Sequence, residues 1–295
     1  AQGKGHLGGR EPLTGIAAWT GADFAVNGGY FNTSTGQPFD MVVVAGRLVT
    51  RADRYRAFFG MDKNGRTVFA KPTVTLSAAV GGRPAYYVSH LNRAPGKGSV
   101  AVFDSRFGTR TGTADYRTEF IVDNGRVTDV VRGGNAAIPS RGFVISVDQK
   151  HWENFGSKIT VGEEAELRIA GSPDPNTISC GVSAGPMLVT NGEPEKYLIE
   201  DFGRDSGIVS GRAPRTAAGL THNGRLRFVV VEGRSSTSVG ATLKELARIM
   251  VSLGCISAIN LDGGGSSEMV IDGQIMNSLN SGERSLANAF IIYYE

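Results

Sequence analysis

The sequence predicts an α+β protein: a strand-rich mixed sheet with many antiparallel hairpins and a few packed helices. Two observations carry this prediction. Short apolar segments alternate with Asn-Gly or Asp-Gly turns along most of the chain, and one amphipathic helix with a capping signature stands directly before an apolar strand. Asn and Gly accept the positive φ of tight turns, so each such turn between apolar segments predicts a pair of antiparallel strands.

Five turns of this kind recur between apolar segments, at Asn64-Gly65, Asn124-Gly125, Asn191-Gly192, Asn223-Gly224 and Asp272-Gly273. Their spacing is irregular and the flanking residues differ, which argues against a solenoid or a propeller. The length of 295 residues fits one large domain or two packed ones, and we expect a single domain over residues 1–295.

The clearest helix signal begins at Thr242, where Thr242 and Glu245 form a capping box that can satisfy the free amides of a first helical turn. Gly254 can end the helix in a left-handed conformation. One face of the predicted helix is apolar and consists of Leu243, Leu246, Ala247 and Met250. The strand "CISAINL" follows at once, which places Asp262 at the carboxyl end of a strand, where such sheets tend to bind ligands.

Two regions are less specific. The segment "AELRIA" fits either a helix or a strand with alternating burial. The region from about Ser89 to Arg117 is rich in Gly, Arg and Thr, and we expect it to consist mainly of loops.

Composition limits the classes of protein to consider. With 40% hydrophobic and 20% charged residues, the 295-residue chain is typical of a folded protein. Its net charge of +3 is spread without a basic run, so nucleic acid is not a predicted partner. No apolar run approaches the ~20 residues needed to span a bilayer. The start at Ala1 would suit a mature secreted chain without its signal peptide, and equally a trimmed one.

Cysteine and metal chemistry are weakly signalled. Cys180 and Cys255 could form a disulfide, or each could be a buried free thiol. The four histidines are far apart and show no zinc-binding spacing. No cofactor is predicted, although calcium or magnesium held by carboxylate, amide and carbonyl oxygens stays an alternative.

The stretch "NLDGGGSS" at residues 260–267 is the strongest candidate for a site. It lacks the lysine of a P-loop and the helix of a dinucleotide fingerprint. What remains is an acidic residue at a strand end, glycines that let a ligand approach the backbone, and two hydroxyls. This composition suits a sugar or a phosphate, and a tight structural turn is the alternative. The residues concerned are Asp262, Gly263, Gly264, Gly265, Ser266 and Ser267.

Three further segments carry polar groups with a possible role in binding. "VNGGYFN" offers the amide of Asn27, the small Gly28 and Gly29, and Tyr30, which could stack on a sugar. "APRTAAGL" offers Arg215, whose guanidinium matches a phosphate or a carboxylate. Glu232 ends the apolar strand "VVVEG". A strand-to-turn junction with buried aromatics, and an ordinary surface ion pair, are the structural alternatives for the first two.

In this order, "VNGGYFN", "GPMLVTNG", "PRTAAGL", "VVVEGR", "INLDGGGSSEMVIDG" and "ERSLANAF" resemble the phosphodiester glycosidase family. The resemblance is specific from Pro214 to Phe290, good around Asn27, and thin from about Gly46 to Ser179. We expect this poorly matched middle region, at about 46–179, to determine specificity. Glu232 stands where relatives often have aspartate, and Glu268 where threonine is frequent, so Glu268 is a poor candidate for shared chemistry. Arg284 and Asn288 match bacterial relatives.

The resemblance implies hydrolysis of a sugar-1-phosphate diester, with N-acetylglucosamine-1-phosphate as one candidate group. It also implies a mixed α/β fold in which the glycine-rich segments meet at one site, and a secreted, periplasmic or cell-surface location. We expect Asp262 to act at the anomeric carbon, Glu232 to assist it, and Arg215 to receive the charge of the leaving phosphate. The substrate-binding groups would be Asn27, Gly28, Gly29, Tyr30, Gly263, Gly264, Gly265, Ser266, Ser267, Arg284 and Asn288.

Two other function classes remain open. A glycosidase with an unphosphorylated substrate would use Arg215 for a carboxylate or only for the fold. A non-catalytic module would bind anionic cell-surface glycans in the same pocket and release no product.

Overall fold

The computed structural model describes residues 1–199, 207–279 and 282–294. The chain divides into two compact units. The first consists of Ala1–Arg47, Ala52–Pro72 and Thr177–Glu295, and the second of Leu48–Arg51 and Thr73–Asn176. The second unit falls inside the stretch at about 46–179, where the family resemblance is thin. The expectation that all 295 residues work as one domain stays a prediction.

Helices are short and few in the described ranges. They are α1 (Leu13–Thr20), α2 (Gly207–Ser210) and α3 (Leu243–Ser252), with 3-10 turns at Gly3–Gly5, Gln149–His151, Gly156–Lys158, Pro175–Thr177 and Gly264–Ser266.

Strands form most of the regular structure. In chain order they are β1 (Phe24–Asn27), β2 (Val42–Val44), β3 (Arg47–Thr50), β4 (Phe58–Asp62), β5 (Thr67–Ala70), β6 (Thr73–Val80), β7 (Tyr86–Val88), β8 (His90–Leu91), β9 (Val100–Asp104), β10 (Thr118–Asp123), β11 (Arg126–Arg132), β12 (Gly142–Val147), β13 (Ala165–Ser172), β14 (Ile178–Ser183), β15 (Met187–Thr190), β16 (Glu193–Pro194), β17 (Arg215–Thr221), β18 (Leu226–Val231), β19 (Cys255–Asn260), β20 (Met269–Ile271), β21 (Gln274–Ile275) and β22 (Ala289–Ile292).

The first unit holds three antiparallel sheets. Their strand orders are β21-β20-β1-β22, β2-β14-β4-β5 and β16-β15-β19-β17-β18. The last of these positions the candidate site. In it β17 lies between β19 and β18, with Ala217 opposite Asn260 and Arg215 opposite Val231.

The second unit holds a sheet of order β11-β10-β12-β9-β8 and a smaller one of order β13-β6-β7. The pair β8 and β9 is parallel, whereas the other pairs of the larger sheet are antiparallel. The predicted α+β class with a mixed, strand-rich architecture is therefore confirmed. The segment "AELRIA" is a strand, since it forms most of β13. The expected loops between Ser89 and Arg117 include β8 and β9, because "VAVFD" is apolar enough to form a buried strand despite its glycine-rich surroundings.

All five predicted turns join antiparallel strands, as their chemistry requires. At Asn124-Gly125, Asn191-Gly192 and Asp272-Gly273 both residues have positive φ, which is the conformation of a type I′ turn. At the other two turns only the glycine does, with φ of 77° at both Gly65 and Gly224.

The predicted helix is α3. Thr242 Oγ1 accepts from Glu245 N while the Glu245 carboxylate accepts from Thr242 N at 2.9 Å, so the capping box is formed. Gly254 has a φ of +79° as expected. The apolar face lies in a core made of Leu188, Val189, Leu198, Ala217, Leu243, Leu246, Ala247, Met250, Cys255 and Ala258. Burying one leucine of this kind contributes about 1.5–3 kcal/mol, so the face holds α3 firmly on the sheet.

The two cysteines are free thiols, Cys180 half-buried and Cys255 buried. Burial raises the pKa of the Cys255 thiol.

Candidate active site

Three predicted catalytic residues meet at one edge of the sheet that contains β17, β18 and β19. Because β17 is antiparallel to both neighbours, β18 and β19 run in the same direction and end where β17 begins. Arg215 is the first residue of β17, Glu232 follows β18, and Asp262 follows β19. Adjacent strands lie about 4.8 Å apart, so the backbones of Glu232 and Asp262 are separated by roughly 10 Å with Arg215 between them.

Residues Asp262–Ser267, which we call the Asp262 turn, leave the sheet and form a short 3-10 segment at Gly264–Ser266. Gly264 N donates to Pro214 O at 2.8 Å, which ties the turn to the residue before Arg215. Gly264 has a φ of +63°, a conformation that favours glycine. The glycine run is therefore fixed in place and is not a flexible loop.

Asp262 is half-buried, and Gly263 N donates to its Oδ1 at 2.8 Å. Burial raises the pKa of the Asp262 carboxyl to about 6, although hydrogen bonds from Ser266 and Gly263 and the charge of Arg284 act in the opposite direction. A carboxyl with this pKa can gain and lose a proton near neutral pH, as a catalytic base does.

Asn27 holds the Asp262 turn from behind. Its Nδ2 donates to Asp262 O at 2.7 Å, while its Oδ1 accepts from Thr216 Oγ1 at 2.7 Å and from Glu268 N at 3.2 Å. The Asn27 side chain is 1% exposed. Its polar atoms are thus used inside the protein, and its contribution is to fix the Asp262 backbone.

Gly28 and Gly29 lie where no side chain fits. Asp262 N donates to Gly28 O at 3.0 Å, and Gly29 N donates to Asn288 Oδ1 at 2.7 Å. A Cβ on Gly28 would lie 2.1 Å from Asn288 Oδ1, and one on Gly29 would lie 2.5 Å from Ser183 O. These glycines allow the segment to pack closely against the Asp262 turn.

Tyr30 and Asn288 are also buried, at 9% and 3% exposed. The Tyr30 hydroxyl donates to Gly185 O at 2.9 Å and lies 2.7 Å from Asn260 Nδ2, and its ring packs against Arg56. The structure does not bring the Tyr30 ring to an open surface, where it could stack on a sugar. Substrate contact by Tyr30 and Asn288 stays a prediction.

Arg215 is a buried cation, 3% exposed. Its Nε donates to Ala241 O at 3.0 Å and its Nη2 to Gly211 O at 2.6 Å. Burial lowers the pKa of the guanidinium, and the neighbouring charge of Arg234 lowers it further. These two backbone carbonyls fix the orientation of the Arg215 guanidinium, and neither carries a negative charge that would compensate it.

Two more arginines border the Asp262 turn, and both are exposed. Arg234, with a φ of +60°, lies over Gly264, and a Cβ on Gly264 would be 3.3 Å from its Nη2. Arg284 lies over Gly265 and its Nη1 donates to Ser266 Oγ at 3.3 Å. Within the described part of the chain, none of Arg215, Arg234 and Arg284 forms an ion pair. None of these three arginines is therefore neutralised by a carboxylate in direct contact among the described residues.

A small cleft opens beside the turn. Its lining consists of Pro214, Arg234, Gly264, Gly265, Ser267, Ser278, Leu279 and Gly282. Ser267 is 3% exposed, and its Oγ has no hydrogen-bond partner among the described residues. Glu232 is half-buried, and its Oε1 accepts from Ser278 N at 2.6 Å, which fixes its carboxylate close to this lining.

Sequence reasoning missed the part that Arg234 and Thr216 take in this arrangement. Arg234 stands directly after "VVVEG", so its position after a strand end was a usable signal. Thr216 gave none, because its role depends on contact with Asn27, 189 positions earlier in the chain.

The second unit has a larger concavity of about 740 Å³, which we call the paired groove. Its lining includes Arg83, Arg126 and Arg168, each of which faces a glutamate. The pairs are Arg83–Glu163 at 2.5 Å, Arg126–Glu164 at 2.7 Å and Arg168–Glu166 at 3.0 Å. Unlike the cleft, the groove has arginines whose charge is already compensated.

The described residues show neither a metal-binding group nor a membrane-spanning helix. They contain no group of three or more His, Cys, Asp or Glu side chains arranged to hold a metal ion. Nor do they contain a helix of the length and apolarity that crossing a bilayer demands.

The Asp262 carboxyl and three arginines for which the described residues supply no ion pair thus lie around one turn, beside a small cleft. A model of the phosphodiester glycosidase family matches residues 116–293, which is more than half of the chain. The chain therefore belongs to the phosphodiester glycosidase family. This membership supports phosphodiester glycosidase activity in the broad sense.

Among curated proteins, the chain is 39% identical over 82 residues to the SPbeta prophage-derived uncharacterized protein YomE of Bacillus subtilis (strain 168). The matched stretch is 28% of this chain and 13% of that protein, so the chain spans only a small part of this relative.

Solved structures share the fold. A hypothetical protein from Synechocystis superposes with a TM-score of 0.83 at 24% identity, covering 97% of this chain and 54% of that one. A candidate exported protein from Burkholderia pseudomallei K96243 superposes with a TM-score of 0.83 at 24% identity, covering 100% of this chain and 70% of that one. A third structure is the catalytic domain of zebrafish N-acetylglucosamine-1-phosphodiester α-N-acetylglucosaminidase, auto-inhibited by its pro-peptide. It superposes with a TM-score of 0.55 at 20% identity, covering 98% of this chain and 72% of that one. At these identities the likeness is one of fold.

Proposed function

We propose that the protein hydrolyses the glycosidic bond to phosphate in a sugar-1-phosphate diester, releasing the sugar and a phosphate monoester. The observation that carries the proposal is the group of three arginines without ion pairs around the Asp262 turn. Like charges close together are unfavourable unless an anion compensates them. A phosphodiester bound in the cleft supplies that anion.

The chemistry of the leaving group explains why arginines can assist its departure in place of a general acid. A phosphate monoester has a second pKa of about 6, so it can depart without a full proton from the enzyme if cations receive its charge. Arg215 is suited to this role because its fork is buried and held in one orientation. Arg234 and Arg284 are exposed, and we assign them to attraction and binding of the diester.

Asp262 acts at the anomeric carbon in this proposal. Its raised pKa suits a base that takes a proton from water, or a nucleophile made more reactive by burial. Glu232 orients water or binds sugar hydroxyls. The two roles of Asp262 differ in geometry, since a nucleophile works with its partner carboxyl at about 5 Å and a base at about 6.5–9.5 Å. The two-strand separation of Glu232 and Asp262 favours the base.

The test is hydrolysis of a panel of synthetic sugar-1-phosphate diesters in oxygen-18 water, including the α-linked N-acetylglucosamine-1-phosphate methyl diester. We expect label in the released sugar, because water attacks the anomeric carbon. Label in the phosphate would establish a phosphodiesterase instead. Hydrolysis of neutral glycosides only, or glycan binding without any product, would favour the other two function classes.

The stereochemistry of the product tests the role of Asp262. If Asp262 activates water directly, proton NMR of the first product will show inversion at the anomeric carbon. Retention would assign a covalent intermediate to Asp262 and refute the base.

We also propose that the protein works outside the cytoplasm. The structural similarity to a candidate exported protein supports this location. Detection of the protein in culture medium or cell-wall fractions, with a cytoplasmic marker absent from them, tests it.

A further inference from the structure

Glu268 is a buried carboxyl that the proposed reaction does not use. It directly follows the Asp262 turn and precedes β20, and it is 0% exposed. Neither of its carboxyl oxygens has a hydrogen-bond donor among the described residues. An ionised carboxylate in such a place would lose its hydration with nothing in exchange, which is strongly unfavourable.

Glu283 lies against Glu268 within hydrogen-bonding reach of its carboxyl. Thr14, in α1, donates to Glu283 through its backbone N at 2.8 Å and through Oγ1, which lies 2.8 and 2.9 Å from the two carboxyl oxygens. Glu283 is thus held as an acceptor. A hydrogen bond between the two carboxyls therefore requires that Glu268 carry the proton and donate it.

The surroundings of the pair contain little that could compensate a second negative charge. Neither α1 nor β1 carries a charged residue. Arg284 is on the same segment as Glu283, but its guanidinium lies over Gly265 and Ser266 and acts on Asp262. Burial and the nearby Glu283 carboxylate raise the pKa of Glu268 to about 8.

We propose that Glu268 and Glu283 share one proton, and that this carboxyl pair positions Arg284 beside the Asp262 turn. One carboxyl belongs to Glu268, between the turn and β20, and the other to the residue before Arg284, so the shared proton joins the two segments. When hydroxide removes this proton as water, the buried Glu268 carboxylate and the half-buried Glu283 carboxylate face each other without a bridge. They repel, and the segment that carries Arg284 separates from the turn. Glu268 and Glu283 are positioning residues and do not contact substrate.

Glu268→Gln tests the shared proton without changing the shape of the side chain. The glutamine amide donates to Glu283 as the protonated carboxyl does, and it cannot lose that hydrogen near neutral pH. The native state of the wild type keeps a proton that the unfolded state releases above its ordinary pKa of about 4.5. The stabilisation is therefore complete below pH 4.5 and is lost as the pH rises through about 8.

We expect the melting temperatures of wild type and Glu268→Gln to be close at pH 5 and to diverge toward pH 9, where the variant melts on the order of 5 °C higher. Glu164→Gln, in the paired groove, is the control and should parallel the wild type. Parallel curves for wild type and Glu268→Gln from pH 5 to 9 would overturn the proposal. So would a shift of the wild-type melting temperature on adding EDTA or calcium chloride, which would indicate a cation between the carboxyls.

A measurement on the wild type keeps the proposal testable if the variant does not fold. In a carbon-13 NMR titration of glutamate-labelled protein, we expect one carboxyl resonance to titrate at about pH 8. A spectrum in which every glutamate titrates below neutral pH would overturn the shared proton.

The positioning role rests on the proposed function, and its readout is the pH profile of diester hydrolysis. We expect kcat/KM of the wild type to fall above about pH 8 and that of Glu268→Gln to remain level there, with the acidic side of both profiles unchanged. An alkaline decline that persists in Glu268→Gln would refute the positioning of Arg284. If no diester is hydrolysed, the proposed function fails, whereas the melting and NMR experiments still decide the carboxyl pair.

Discussion

Arg215, Arg234 and Arg284 surround the Asp262 turn, and three other arginines line the paired groove of the second unit, but the two sets differ in charge compensation. In the groove each arginine faces a glutamate at 2.5–3.0 Å. In the described part of the first unit, Arg215, Arg234 and Arg284 have no such partner. The groove is the larger concavity, yet it has no charge left for a ligand. The proposed anion site is therefore distinguished from the groove by arginines without a contacting carboxylate and not by volume.

Replacement of Asp262 by asparagine should give the largest difference in kcat between a variant at the Asp262 turn and a variant in the paired groove. Asp262→Asn keeps the shape of the turn and removes the group that acts at the anomeric carbon, so we expect kcat for a sugar-1-phosphate diester to fall by roughly 10³ or more. Glu164→Gln in the paired groove should leave kcat unchanged. Near-wild-type turnover of a folded Asp262→Asn protein would refute the role of Asp262.

Loss of the buried guanidinium should come next. Arg215→Lys keeps a charge but not the planar fork, and we expect kcat to fall about 10²- to 10³-fold. The matched control is Arg126→Lys in the groove, where we expect no change in rate. Because Arg215 also binds two carbonyls, the melting temperature has to be measured beside the kinetics; a lower melting temperature with unchanged kcat would mean that Arg215 only supports the fold.

A smaller effect is expected from the exposed Arg234. Arg234→Met removes one attractive charge, and we expect KM to rise about tenfold at low salt with little change in kcat. Salt screens exposed charges, so the difference from wild type should shrink as sodium chloride is raised. Arg168→Met should behave like the wild type at every salt concentration. A KM for Arg234→Met that equals the wild-type value would remove Arg234 from the binding site.

The two regions should also titrate at different pH. Asp262 acts in its ionised form, so kcat/KM should decline about tenfold per pH unit below its pKa of about 6. Arg83 holds the pKa of Glu163 down at about 2. The stabilisation from this pair is therefore present above about pH 4.5 and is lost only as the pH falls toward 2. Melting curves from pH 5 to 2, with Glu163→Gln for comparison, check the second part. An acidic decline centred near pH 4 would contradict the first.

The elements that depend on local chemistry could be predicted from the sequence. The five glycine turns and the capped α3 have signals within a few residues, and the order of α3, β19 and Asp262 located the turn at a strand end. The candidate catalytic residues Asp262, Arg215 and Glu232 followed from the same reasoning, together with the family resemblance.

What could not be predicted depends on contacts distant in sequence. Asn27 offered its polar atoms as a substrate-binding group would, but they are used by Thr216, Asp262 and Glu268. Glu268 looked like an ordinary charged residue because nothing in its neighbours along the chain shows that it is 0% exposed. Strand β9 was not predicted because the glycine-rich residues around it are typical of loops.

The hydrogen bond from Asn27 to Asp262 has a consequence for the order in which the protein can be made. It joins residues 235 positions apart, and β1 lies between β20 and β22 in its sheet. During synthesis from the amino end, β1 has no partner strand until β20, at residues 269–271, has left the ribosome, and its second partner β22 follows at residues 289–292. Contacts this distant form late, because the entropy of closing the loop has to be overcome first. The nascent chain therefore exposes an unpaired apolar strand for most of its synthesis, and the proposed site can assemble only near the end of that synthesis.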